Sequence, residues 1–182
     1  MTFDQLNLSP ALLTGLAKQG LDQATEIQNV AIEAVLSGQD VYIHSETGSG
    51  KTLAYLLPLY NALDLEIPAT QVLIIAPTHE LALQIHKVSC ELAQNSGMAV
   101  RNLLLLGGTD LNRQLEKLKK KPQIVIGTLG RVLDLTLRGK LKLKNLKTLV
   151  IDEADRLLAG DSLEMMQKLI SAAPKSRQLI FV

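Results

Sequence analysis

A chain of 182 residues with 47% hydrophobic and 20% charged side chains holds enough apolar material for one packed domain and too much for a disordered segment. Its 19 basic and 18 acidic residues leave a net charge of +1, so bulk charge signals no nucleic-acid partner, and any such contact has to be local. Aromatic residues make up 3% with no tryptophan, which excludes a wide base-stacking platform. The lone cysteine, Cys90, cannot form an internal disulfide and lies in a helical pattern, as expected of a buried thiol in a reducing compartment. No apolar run approaches the ~18 residues of a membrane span, and the start MTFDQLNLSP lacks the features of a secretory signal. A cytoplasmic, monomeric protein with no membrane partner is expected.

Ser9-Pro10 reads as an N-cap with proline at the first helical turn, followed by Leu12, Leu13, Leu16 and Ala17 at helical spacing up to Gly20. Thr25 opens a second helix that Gly38 ends. Residues 41–44 read as a short buried strand, Gly48 and Gly50 as a tight loop, and Lys51-Thr52 as the start of a helix that meets Pro58. A second strand spans 72–75, with Ala76-Pro77-Thr78 and a long helix over 79–95 behind it. A third strand at 103–106 ends in Gly107-Gly108, and a helix follows over 110–118. The fourth, 124–126, is expected to stop at Gly127 before a helix from Gly130 or Arg131. The fifth, 149–151, leads into Asp152-Glu153 and a helix. A further helix over 163–172 and a strand over 178–182 complete the chain. Apolar strands alternating with helices predict an α/β fold, a mostly parallel sheet with helices on both faces. Ligands of such sheets bind beyond the carboxyl ends of the strands, where the glycine, threonine and acidic clusters fall.

Strand, glycine loop, Lys-Thr and helix form the order of a phosphate-binding loop. Glycines let successive N–H groups turn inward on phosphate oxygens, and the helix start adds unpaired donors and partial positive charge. Lys51 can reach the outer phosphates, and the Thr52 hydroxyl can ligate Mg²⁺. Ser45 stands where the usual pattern has its first glycine. The second signal is the apolar strand that delivers Asp152 and Glu153. Asp152 is the candidate Mg²⁺ holder and Glu153 the residue that orients or deprotonates an attacking water. An acidic helix N-terminus is the competing reading of that pair.

SETGSGKT, PTHELALQ, GG, TLGR and DEAD, in this order and at these distances, resemble the first RecA-like domain of a DEAD-box RNA helicase, over essentially the whole chain. The resemblance implies a RecA-like P-loop NTPase fold, ATP and Mg²⁺ as cofactors, RNA as partner, and RNA-dependent ATPase and helicase activity. It assigns catalysis to Lys51, Asp152 and Glu153, and the metal to Thr52 and Asp152. Nucleotide binding goes to Phe3, Leu21, Gln28, Thr47, Gly48, Ser49, Gly50, Lys51 and Thr52. Gln28 matches the glutamine that reads adenine and Phe3 the aromatic that supports it. Thr25-x-x-Gln28 is equally a capping box, and the two uses compete. Pro77, Thr78, His79, Gly107, Gly108, Thr128, Gly130 and Arg131 match the RNA-facing elements, whose N–H groups, hydroxyls and one arginine suit a sugar-phosphate backbone. Thr109 and Thr128 also read as N-caps.

Leu21 stands in place of an aromatic ring, Ala24 and Leu129 in place of prolines, and His79 in place of an arginine. Weaker adenine packing and a lost fixed charge are expected. A module that clamps RNA without useful turnover is the alternative these departures motivate. Residues 1–182 are expected to form one RecA-like domain, with the adenine-reading segment at about 3–28. The chain stops where the family's Ser-Ala-Thr motif is due, so the expectation is a fragment without its C-terminal RecA-like domain, binding nucleotide weakly and not unwinding RNA. The lysine run at 117–121 and the basic alternation over 138–147 read as solvated surface or as an extra RNA patch.

Overall fold

The computed structural model describes residues 1–46 and 48–182; the assignment of Thr47 lies outside the described residues. After a short turn at Phe3–Gln5 come α1 (Pro10–Lys18), α2 (Glu26–Leu36), β1 (Val41–Tyr42) and α3 (Lys51–Asn61). Then follow β2 (Val72–Ala76), α4 (His79–Ser96), β3 (Asn102–Leu105), α5 (Leu111–Leu118), β4 (Ile124–Thr128) and α6 (Leu129–Leu137). The chain closes with β5 (Thr148–Ile151), α7 (Ala154–Leu157), α8 (Asp161–Ala172) and β6 (Gln178–Phe181). The described strands form one six-stranded sheet in the order β1-β6-β5-β2-β4-β3. Every pairing is parallel, so the expected mostly parallel sheet is wholly parallel.

Side chains alternate across a pleated strand, so each strand supplies two cores. Val72, Ile74, Ile124, Ile126, Val150 and Ile180 face one way and pack with α1, α2, α3 and α4. Leu73, Ile75, Val125, Leu149 and Ile151 face the other way and pack with α6 and α8. The central strands β2 and β5 are buried end to end, which is why they read as unbroken apolar runs. The N-terminal segment is held by an antiparallel Thr2–Gln23 bridge and a 3.0 Å bond from the Ala24 N–H to the Met1 carbonyl. Those ties press Phe3 into the first core.

Beyond shifts of one or two residues at other ends, three expected boundaries move for reasons that the packing shows. The strand expected over 41–44 is two residues long. It lies at the sheet edge with one neighbour, and Tyr42 is 69% exposed and stacks on His44. Helix α3 runs through Pro58 to Asn61. Burial of Ala54 through Tyr60 outweighs the ~3 kcal/mol that an interior proline costs. Strand β4 runs through Gly127 to Thr128. A Cβ at Gly127 would lie 2.4 Å from the Leu105 carbonyl oxygen and 2.9 Å from Val132. That glycine marks close packing of β4 against β3 and α6, where a strand end was expected.

Candidate active site

All the predicted site residues among those described lie along the carboxyl edge of the sheet or in the N-terminal segment beside it. Strand β1 feeds the phosphate loop, in which Gly48 and Gly50 take φ of 84° and 94°, values that side chains resist. Gly50 is the residue before α3, so the unpaired N–H groups of that helix begin at Lys51. The loop is closed on itself. The Lys51 ammonium donates to the carbonyl oxygens of Ser45 at 2.5 Å and Glu46 at 3.2 Å, and the Ser45 and Ser49 hydroxyls bond each other. The serine at position 45 thus gains a partner where a glycine would have none.

Asp152 follows β5, and its backbone N–H still donates to the Ile75 carbonyl of β2 at 2.9 Å. Its carboxylate is buried. Oδ2 accepts from the Tyr55 hydroxyl at 2.8 Å and Oδ1 from the Glu153 N–H at 2.9 Å. Burial pushes the Asp152 carboxyl above the usual range; the Tyr55 and Glu153 hydrogen bonds, and more weakly Lys51, pull it back. Burial and the adjacent carboxylate raise the Tyr55 phenol well above its ordinary value, so it stays a protonated donor. Glu153 has φ 49°, an uncommon conformation for a residue with a side chain, and its Oε2 accepts from Arg156 Nη1 at 2.7 Å. The carboxylate is therefore oriented by a partner one helical turn on.

The capping box of α2 is formed. Thr25 Oγ1 accepts from the Gln28 N–H, and Gln28 Oε1 accepts from the Thr25 N–H at 2.9 Å. The Gln28 amide also donates to the Gly50 carbonyl at 3.2 Å, and the Thr25 hydroxyl to the Ser49 carbonyl at 2.9 Å. Both ends of the Gln28 amide are engaged, so the cap is the use this structure shows. Phe3 and Leu21 pack in the first core.

The other half of the edge belongs to β2, β4 and β3. Thr78 is a true N-cap, its hydroxyl accepting from the Leu81 N–H at 3.1 Å. Thr128 holds the N-cap position of α6 without a side-chain cap bond. The cap expected of Thr109 is made by Asp110, while the Thr109 hydroxyl turns back to the Leu106 carbonyl. A Cβ on Gly107 would sit 3.8 Å from His79 Nε2, so α4 and the Gly107-Gly108 turn adjoin. Arg131 Nη2 reaches the Thr109 carbonyl at 3.5 Å, and its buried Nη1 has no partner among the described residues. Gly130 faces Met165 of α8. Pro77 follows β2, level with the end of β4, where Ala76 pairs with Thr128. Asp152 sits at the join of the two halves, because β5 neighbours both β6 and β2.

Tyr55, Arg156 and Thr25 were not predicted as site residues. Tyr55 lies one helical turn beyond Lys51 and Thr52, on the same face, a periodicity visible in the sequence. Its partner, 97 residues away, is not. Among the described residues no group of three or more His, Cys, Asp or Glu could hold a metal ion unaided.

The chain resembles the DEAD-box ATP-dependent RNA helicase CshC of Bacillus cereus, with 41% identity over 175 residues, 96% of this chain and 44% of the relative. It resembles the ATP-dependent RNA helicase CshA of Limosilactobacillus reuteri, also at 41%, over 99% of this chain and 36% of the relative. It spans less than half the length of either. Among solved structures, a DEAD box protein from the hyperthermophile Methanococcus jannaschii superimposes with a TM-score of 0.93 at 31% identity. That match covers all of this chain and 49% of the other. Dbp5 of S. cerevisiae, bound to RNA and ADP BeF3, gives 0.88 at 29% identity, over 99% of this chain and 45% of that one. The family model of the DEAD/DEAH box helicases matches residues 25–182, and with the loop, the acidic strand end and the RecA-like sheet in place, the chain belongs to that family.

Proposed function

We propose that this chain is the ATP-binding RecA-like domain of an RNA-dependent ATPase that couples ATP hydrolysis to RNA binding and local duplex unwinding. The observation that carries the reading is the Tyr55–Asp152 hydrogen bond, which joins the helix of the phosphate loop to the acidic strand end. The relatives CshC and CshA are ATP-dependent RNA helicases, which supports the same substrate and partner.

In this reading Lys51 leaves the Ser45 and Glu46 carbonyls and meets the outer phosphates of ATP, while N–H groups at the start of α3 line the rest. Gln28 exchanges its bond to Gly50 for the adenine edge, which presents a donor and an acceptor that an amide can match. Thr52 and Asp152 would hold Mg²⁺. A single carboxylate with a hydroxyl fits that ion, which draws its remaining ligands from phosphate and water. Bound there, it would neutralise charge on the phosphates. Glu153 orients the attacking water and accepts its proton, with Arg156 fixing its direction. The β2, β3 and β4 ends take the RNA backbone without regard to sequence. A second RecA-like domain is part of the proposal, supported by relatives more than twice as long as the chain. Residues 1–182 alone are expected to bind nucleotide weakly and not to unwind RNA. A cytoplasmic monomer completes it.

The test is RNA-stimulated ATP turnover of the full-length protein and its Glu153→Gln variant. Turnover should rise with RNA and fall by about 10²–10⁴-fold in the variant, as for loss of a general base, with nucleotide binding retained. Turnover indifferent to RNA or to Glu153 would overturn the reading.

A further inference from the structure

Charge is unevenly spread along this nearly neutral chain. Ten of its 19 lysines and arginines fall within residues 117–147, where Asp134 is the only carboxylate. The fold gathers two parts of that stretch, 117–121 and 138–147, at the amino ends of β2, β4 and β5, opposite the active-site edge. There they line a groove of about 740 Å³ with Lys119, Lys121, Lys140, Lys142 and Lys144 on its rim and Leu115 and Leu141 in its floor. The one carboxylate in the lining, Glu116, is paired with Lys119 at 2.6 Å. Among the described residues, the other four lysines make no ion pair.

The groove connects with the RNA-facing half of the edge. Helix α5 begins just after the Gly107-Gly108 turn and ends at the groove, about 12 Å on for its eight residues. Arg113 and Lys117 stand one turn apart on its exposed side. With Arg101 and Lys120 they line a second groove beside the edge strand β3, and Pro122 belongs to both grooves. A basic track thus runs from one end of the sheet to the other.

We propose that the lysine groove is a second RNA site, which takes the phosphates of a strand that continues down α5 beyond the catalytic edge. The inference rests on the RNA-dependent function proposed above. Exposed ammonium groups with no aromatic ring in the lining attract phosphates and read no bases, so the site is indifferent to sequence. Continuity with the edge favours RNA over an acidic protein segment.

The test uses the full-length protein, RNAs of about 6 and about 20 nucleotides, and a triple variant Lys140→Gln, Lys142→Gln, Lys144→Gln. These side chains are exposed, and a matching Lys→Arg triple controls for folding. Wild type and the arginine triple should bind the long RNA more tightly than the short one. The glutamine triple should lose most of that gain, with a salt slope about 2 lower, at about 0.7 per lost phosphate contact. ATP turnover with the short RNA should not change. An unchanged length dependence and slope would sink the proposal, and so would a variant that loses only its binding to polyglutamate. If wild-type turnover ignores even the short RNA, the proposed function itself fails; if turnover responds and the groove substitutions do nothing, this inference alone does.

Discussion

The two ends of the sheet treat charge in opposite ways. At the carboxyl end Lys51 is held by the Ser45 and Glu46 carbonyls, Asp152 by Tyr55 and the Glu153 N–H, Glu153 by Arg156, and the Gln28 amide by Thr25 and Gly50. At the amino end five lysines rim a groove, and among the described residues all but Lys119 make no ion pair. Internal partners fix where a catalytic group points, at the cost of exchanging those bonds when a ligand arrives. Free ammonium groups fix nothing and act over about 8–10 Å through solvent. One end of the sheet fixes the direction of its polar groups, and the other spreads its charge into solvent.

The largest effect that could break this contrast is expected at Asp152. Asp152→Asn should lower RNA-stimulated turnover by about 10²–10³-fold, as for loss of a preorganised charge. Burial raises the Asp152 carboxyl in the folded state, so its contribution to stability is full below the unfolded value of about 3.9 and is lost as pH rises through the folded value. Urea unfolding in EDTA should therefore show the wild type losing stability against the Asn variant across that window, and the variant ahead at pH 7. A variant less stable at pH 7 would mean that the hydrogen bonds to Asp152 outweigh its burial.

Tyr55→Phe comes next. It leaves Asp152 Oδ2 buried without its donor, an expected loss of about 1–3 kcal/mol by chemical unfolding. The loss should shrink when Asp152→Asn is already present; full additivity would show that the two groups do not act as a pair. The smallest effect is expected from Gln28→Ala, at about 1 kcal/mol for half a capping box. This substitution also weakens ATP binding if the amide reads adenine, and titration with fluorescent ATP and GTP separates the roles. An unfolding change with no change in nucleotide preference would leave Gln28 as a cap alone.

The alternation of strands and helices was legible because β2, β4 and β5 are buried on both faces and so are written as unbroken apolar runs. The phosphate loop and the acidic strand end were legible because each is local, a few residues at fixed spacing. What escaped was non-local. Val41 and Tyr42 look like their fellow strand residues, and only the sheet order makes β1 a short edge. Gly127 reads as a stop until β3 is laid against it, with the Leu105 carbonyl where a side chain would go. Tyr55 shows its helical face in sequence, but the carboxylate it serves arrives from another strand. The two lysine runs look like separate solvated surfaces, and only the fold puts them on one rim.

The meagre attachment of β1 has a mechanical consequence. Val41 and Tyr42 pair with β6 alone, with the Ile43 N–H adding a 2.7 Å bond to the Phe181 carbonyl, whereas α3 directly after the loop is encased from Ala54 to Tyr60. A loop reshaped by its ligand would barely strain the sheet and would instead displace a stiff rod. At the rod's far end the Tyr60 hydroxyl is knotted to the Ser89 carbonyl of α4 at 2.5 Å and to Asn102 of β3 at 2.9 Å. Those two elements lead to His79 and the Gly107-Gly108 turn, so α3 mechanically ties the glycine-loop half of the sheet edge to the other half.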